Sequence, residues 1–393
     1  MFRPIMIPYQ VDGNFMDINT SSSLPTVDAT ELTRIVRRSL RRENLRILES
    51  HAEVLGGGAG NPVTVGLYRF EGAGQDGDER LEWSVILKII QSPENVGWPD
   101  MGGGDDQTHW NYWKRELLIY QSGLLETLPE GMAAPRCYGT VELPGNVAWL
   151  WLEDVSDSHE GTWPLERYGM TARHLGRLNG VYLSGRLLPA FPWFGRNRAR
   201  QWMALIPWQA IPWEHPRVLY RYPRPEMNSF RRMLLENERF LAKLDLLPKT
   251  ICHGDTYPTN FKSRSVSREG EQTVAIDWAL SGIEPLGDDL GQFVFGAQMN
   301  LKDVSREDVD KTLFESYVDG LRDSGCDVDP LWVRFGYTVS AAYRVGLFQL
   351  YLLGEELKQS ESAAEHTAGY PAAADRFEVV MAQEAYELLD LIR

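Results

Sequence analysis

His253-Gly254-Asp255-Thr256-Tyr257-Pro258-Thr259-Asn260 stands a short way ahead of Val274-Ala275-Ile276-Asp277-Trp278. The first stretch is a polar turn that places an asparagine five residues after an aspartate. The second is an apolar strand that ends on a carboxylate. Phosphoryl transfer asks a protein for little covalent chemistry: the accepting oxygen must be held in line and the developing charge neutralised. In such a loop Asp255 can orient a hydroxyl and take its proton, and the Asn260 carboxamide oxygen is a hard ligand for magnesium. Asp277 adds the second oxygen that such an ion prefers. The competing reading is a turn whose Asp and Asn only cap backbone groups, so the surrounding sequence has to decide.

Upstream the chain alternates short strands with turns. Asp28-Ala29-Thr30-Glu31 reads as a capping box opening an amphipathic helix through Leu32, Ile35, Val36 and Leu40. Strand-like runs cover His51 to Leu55, Val63 to Phe70 and Leu81 to Ile90, with a polar turn from Glu71 to Arg80. Gly56 to Pro62 is a glycine-rich interruption. Helical periodicity covers Thr108 to Gly123, and Pro144-Gly145-Asn146 joins Cys137–Leu143 to Val147–Glu153 as a hairpin. Downstream the patterns are mainly helical, over Leu165 to Ser184, Pro225 to Leu246, Asp288 to Asn300, Arg306 to Ser324, Leu331 to Lys358 and Ala372 to Ile392. A small β-rich part followed by a larger helical part is therefore expected. The divisions are a tail and helix at 1–44, a β-rich lobe at 45–153 and a helical lobe at 154–393.

Composition excludes several partners. The 393 residues carry a net charge of −15, from 40 basic and 55 acidic side chains. Nucleic-acid or anionic-membrane binding draws on an excess of Lys and Arg, which is absent. Three widely spaced cysteines, Cys137, Cys252 and Cys326, suggest neither a disulfide framework nor a zinc site, and a reducing cytoplasm fits. No signal peptide and no bilayer-spanning run is read from the sequence.

His253-Gly254-Asp255-x-x-x-x-Asn260 with Ile276-Asp277-Trp278 resembles the signature of the aminoglycoside phosphotransferase and choline kinase superfamily. The resemblance implies an α+β, protein-kinase-like fold and an ATP- and magnesium-dependent transfer of the γ-phosphate to a hydroxyl of a small molecule. The implied acceptor is aminoglycoside-, amino-alcohol- or sugar-like. In that frame Asp255 is the base, Asn260 and Asp277 hold the metal, and His253 and Asp289 brace the loop. Lys88, late in an apolar strand, occupies the place of the lysine that contacts the α- and β-phosphates, and Glu116 that of the helix glutamate that orients it. Alone, Lys88 would read as an edge-strand gatekeeper and Glu116 as a solvated helix residue. Their order along the chain favours the kinase roles.

Trp151-Leu152-Glu153-Asp154-Val155 resembles the hinge, with the Glu153 carbonyl and Val155 amide reading the adenine edge. Gly57, Gly58, Gly60 and Asn61 supply the loop over the phosphates, although Asn61 stands where the G-x-G-x-x-G pattern has its third glycine. Neither Asp-Phe-Gly nor Ala-Pro-Glu is present, which disfavours protein substrates. A nucleotide-binding scaffold without transfer activity is the other alternative. The aromatic-rich stretch from Phe191 to Tyr222, with Trp208 and Trp213 near Glu214 and Glu226, reads either as an acceptor pocket or as core; Trp278 joins the pocket reading.

Overall fold

The computed structural model describes residues 24–56, 63–96, 104–159, 161–205, 211–221, 224–266, 270–347, 350 and 377–392. Gly57, Gly58, Gly60, Asn61 and Trp208 lie outside the described residues, as do the first part of the tail, the end of the expected 331–358 helix and the start of the last helix.

Helix α1 (Ala29–Leu40) begins at Asp28, whose carboxylate accepts the Thr30 and Glu31 amides at 2.9 and 3.2 Å. The reciprocal half of the expected capping box is different, because Glu31 accepts the Trp151 indole N–H at 3.0 Å. A residue expected to serve its own helix thus ties that helix to the sheet. Ile35 and Val36 are fully buried in a cluster with Trp83, Val85 and Trp151.

Strands β1 (Arg46–Leu55), β2 (Thr64–Asp76) and β3 (Glu79–Gln91) precede helix α2 (Arg115–Gln121) and strands β4 (Met132–Ala133), β5 (Cys137–Leu143) and β6 (Val147–Glu153). Five of them form an antiparallel sheet in the order β1-β2-β3-β6-β5. β2 and β3 run through the stretch expected as a polar turn. They stay paired as far as Asp76 and Glu79, and the reversal is confined to Gly77-Asp78, where Gly77 has φ 59°. The expected helix over 108–123 is cut to α2. Residues before it stay in turns because the Arg115 guanidinium takes the carbonyls of His109 (2.6 Å) and Trp110 (2.7 Å).

Beyond β6 come α3 (Leu165–Leu183), β7 (Gly195–Arg196), α4 (Arg198–Leu205), α5 (Pro216–Arg221), α6 (Arg224–Leu235), α7 (Asn237–Leu246), β8 (Lys249–Cys252), β9 (Phe261–Val266), β10 (Gly270–Ala275), β11 (Gly282–Pro285), α8 (Asp288–Asn300), α9 (Arg306–Asp323), α10 (Pro330–Ala341) and α11 (Phe377–Leu389). The single helix expected over 225–246 is two, separated at Glu236. Two small sheets, β4-β10-β9 and β7-β11-β8, hold the strand ends that flank the 253–260 loop. A large core of α3, α8, α9 and α10 side chains backs them. An antiparallel sheet with helices α1 and α2, followed by a mainly helical half, is the α+β, protein-kinase-like architecture.

His174 illustrates how tightly β10 is held on α3. Its ring is 5% exposed, lies against Gly131, and has Nδ1 2.9 Å from the Thr273 hydroxyl. Burial, together with Arg167, Arg177 and Arg173, depresses its pKa from 6.5 to about 3. The unfolded chain therefore binds this proton well before the folded one does. Stability is complete above pH 6.5 and falls as the pH drops towards the folded value. The expected loss is on the order of 2 kcal/mol by about pH 5. Denaturation midpoints should show this acid slope in the unaltered protein and lose it in His174→Gln.

Candidate active site

Asp289, the second residue of α8, builds the loop from behind. Its two carboxylate oxygens accept the His253 and Gly254 amides, each at 2.9 Å, and its carbonyl accepts the Thr256 hydroxyl at 2.6 Å. Burial and the neighbouring Asp288 push its carboxyl above the usual range, against the pull of His253 and the two amides. The N-cap of α8 is Gly287, so Asp289 serves the loop and not its own helix end.

His253 is fully buried. Its Nδ1 accepts the Asp255 amide at 3.2 Å, so the ring proton sits on Nε2 and is donated to the Ile276 carbonyl at 3.0 Å. Burial holds the ring neutral, against the pull of Asp289, Asp255 and Asp277. The imidazole is thus a strut between the loop and the end of β10, reinforced by Trp278 at 4.6 Å between ring centroids. Gly254 has φ 82°, and a Cβ there would stand 2.1 Å from the Leu280 carbonyl and 2.3 Å from Arg198 Nη1. No other residue fits that position.

Asn260 turns its amide nitrogen inward, donating to the Asp255 carbonyl at 2.9 Å and to Asp255 Oδ2 at 3.0 Å. Its own carbonyl accepts the Ile276 amide at 2.9 Å, which ties it to the residue before Asp277. Asp277 takes a left-handed conformation, φ 61° and ψ 69°. Such backbone is uncommon outside glycine, although aspartate and asparagine adopt it more readily than other residues, and it is concentrated at functional sites. The side chain stays 40% exposed while Trp278 beside it turns inward.

Lys88 joins the two halves. Its Nζ lies 2.6 Å from Glu116 Oε2 on α2 and 3.0 Å from Asp277 Oδ1. Burial works against the ammonium charge, but the Asp277 and Glu116 carboxylates outweigh it and hold the group above the ordinary lysine range. Desolvation by the surrounding protein opposes the charge of the partly exposed Asp277, but Lys88 outweighs it and drives the carboxyl down. Glu116 is pushed up by its own burial, which Lys88 only partly offsets. Two sets of contacts result, Glu116–Lys88–Asp277 and Asp255–Asn260, and the backbone joins them where the Ile276 amide, one residue before Asp277, reaches the Asn260 carbonyl.

Other expected residues fall differently. Trp278 is 1% exposed and donates its indole N–H to the Ala275 carbonyl at 2.8 Å, so it packs beneath the site and does not line a pocket. Trp213 stands before α5 with Arg231 over its ring at 5.5 Å. Trp193, Phe194 and Trp202 are buried, which makes much of the aromatic stretch core. Glu153 ends β6 and is paired with Arg264 at 2.8 Å; Val155 lies in the connection to α3.

Three residues at the site have no place in the motif. Gln292 and Arg344 both donate to Asp255 Oδ1, at 2.9 and 2.8 Å, and Arg198 Nη1 donates to the Gly254 carbonyl at 2.9 Å. Gln292 was within reach of the sequence, lying one helical turn beyond Asp289. Arg344 left one sign, a lone charge in an otherwise uncharged run from Thr338 to Leu347.

A kinase-like fold carrying these two linked sets of groups defines a small-molecule phosphotransferase acting on hydroxyl groups. Residues 132–332, just over half of the chain, match the phosphotransferase enzyme family. The chain belongs to that family. Among solved structures it is similar to an amicoumacin kinase in complex with AMP-PNP, Ca2+ and Ami, at 15% identity over 91% of this chain and 94% of that one, with a TM-score of 0.49. It is also similar to a choline/ethanolamine kinase family protein from Mesorhizobium loti (16% identity, 93% and 99% covered, TM-score 0.48). A third is a spectinomycin phosphotransferase in complex with ADP and spectinomycin (10% identity, 91% and 100% covered, TM-score 0.42). No curated protein sequence matches it. No helix among the described residues is long and apolar enough to cross a membrane.

Proposed function

We propose that this protein is an ATP- and magnesium-dependent kinase that transfers the γ-phosphate to a hydroxyl of a small molecule of aminoglycoside, amino-alcohol or sugar type. The observation that carries the reading is Lys88 Nζ, held between Glu116 at 2.6 Å and Asp277 at 3.0 Å, with the Asp255–Asn260 pair tied by backbone to the residue before Asp277. Lys88 contacts the α- and β-phosphates, and Glu116 keeps its ammonium in place. The Glu153 carbonyl and Val155 amide take the adenine edge. Asp255 orients the acceptor hydroxyl and receives its proton.

The donor set suits magnesium. Asn260 spends its amide nitrogen on Asp255, which leaves the carboxamide oxygen to face a cation, and Asp277 contributes a partly exposed carboxylate. When bound, the ion neutralises charge on the β- and γ-phosphates. The three cysteines are free thiols, as suits a cytoplasmic protein.

The deciding experiment is magnesium-dependent ADP release over a panel of sugars, amino alcohols, antibiotics and a generic protein substrate. Transfer to a small-molecule hydroxyl supports the proposal. Transfer to protein alone, or nucleotide binding without transfer to any acceptor or to water, refutes it.

A further inference from the structure

Three separate elements grip the Asp255 carboxylate. Gln292 of α8 and Arg344 both donate to Oδ1, and Asn260 donates to Oδ2. A carboxylate oxygen offers two lone-pair sites. Oδ1 is therefore filled, and Oδ2 keeps one site. Arg344 also sends Nη1 to the Gly254 carbonyl at 2.5 Å, the same oxygen that Arg198 holds. One guanidinium thereby fixes both the carboxylate and the backbone just before it.

The way Arg344 arrives is unusual. After α10 the chain continues as a π-helical turn, Ala342–Leu347, a form rare in proteins and concentrated at functional sites. At Gly291 a Cβ would stand 3.0 Å from the Ala341 backbone, so α8 and α10 meet almost backbone to backbone. Gln292 and Arg344, just beyond that contact, reach the same carboxylate. The Trp202 ring has Arg344 at 5.6 Å and Arg198 at 5.8 Å, which adds cation–π support for both. Burial works against the Arg344 charge. Asp255 is its main support, Arg198 opposes it, and Asp288 and Asp289 assist. Gln292, Asn260 and the neutral His253 complete the surroundings of Asp255.

We propose that Arg344 is a positioning residue of the phosphoryl-transfer site, holding the Asp255 carboxylate so that Oδ2 is the oxygen presented to the acceptor hydroxyl. The inference rests on the reading of Asp255 as the group that orients the acceptor. Alignment matters more than base strength in a loose phosphoryl-transfer transition state, so an arginine beside the base costs little and secures direction.

Hydrolysis of MgATP with water as acceptor tests this on the full chain without knowledge of the natural acceptor. Arg344→Ala should lower turnover by about 10- to 100-fold, while calorimetric affinity for magnesium AMP-PNP is unchanged. Dilute guanidinium should restore part of that turnover in Arg344→Ala and none in Asp255→Ala, and Arg344→Lys should fall between Ala and the unaltered protein. If thermal denaturation shows Arg344→Ala to be unfolded, Arg344→Lys and Arg344→Gln carry the comparison, with Lys expected to be the faster. Turnover in Arg344→Ala equal to the unaltered protein overturns this inference alone. So does a loss that neither guanidinium nor lysine recovers, because that makes Arg344 a packing residue. Unaltered protein that releases no ADP either with water or with any member of the acceptor panel overturns the functional proposal and this inference with it. If only an acceptor supports release, the same comparison of variants is made with that acceptor.

Discussion

Asp255→Ala is expected to reduce turnover by about 10²- to 10⁴-fold and to leave nucleotide affinity near that of the unaltered protein. The separation follows from what Asp255 touches. Its carboxylate is held by Gln292, Arg344 and Asn260, all on the helical side, while Lys88 is held by Glu116 and Asp277. Removing Asp255 leaves the lysine's partners in place. It does strip Arg344, whose side chain is 17% exposed and keeps the Gly254 carbonyl, of its carboxylate, at a cost of about 1–3 kcal/mol. A lower denaturation midpoint is therefore expected as well. Asp255→Asn keeps the side chain's shape and separates chemistry from stability: it should remain folded and still lose most turnover. Steady-state ADP release beside AMP-PNP titration checks both. Turnover in Asp255→Asn equal to that of the unaltered protein would remove Asp255 from the mechanism.

What could be read from the sequence was whatever is encoded locally. The β5–β6 hairpin was legible because Gly145 and Asn146 both take positive φ, which few other residues tolerate. Helix α8 was legible because apolar periodicity and first-turn acids coincide at Asp288. The length of β2 and β3 was not, since ladder hydrogen bonds carried polar residues that resembled a turn. The trimmed helix before α2 turns on Arg115, whose guanidinium also collects carbonyls far along the chain at Trp193 and Ala279.

At the site, the spacing of Asp255 and Asn260 and the strand end at Asp277 were visible because each belongs to one short segment. Arg344 was hidden for the opposite reason. It meets Asp255 across 89 positions, through a π turn that no periodicity announces. Trp278 was misjudged by adjacency: the left-handed conformation of Asp277 turns the two neighbours apart, so the carboxylate faces outward and the indole packs inward.

That same conformation makes Asp277 the second position of large effect. Asp277→Asn should abolish the magnesium dependence of nucleotide binding, with affinity for magnesium AMP-PNP falling by at least about 100-fold, while metal-free binding is little changed. Asparagine tolerates positive φ, so the backbone is preserved and what is lost is one full negative charge. A hard divalent cation with two protein oxygens in reach depends heavily on the charged one. Lys88 would keep Glu116 at 2.6 Å, so the phosphate-facing ammonium stays in position and a generic collapse of the nucleotide site is not expected. Titrating AMP-PNP with magnesium and with EDTA, in the unaltered protein and in Asp277→Asn, gives four affinities. Asp277 holds the metal if the magnesium effect disappears only in the variant. Equal magnesium effects in both proteins would mean that Lys88 and Asp277 form a structural ion pair between the halves of the molecule.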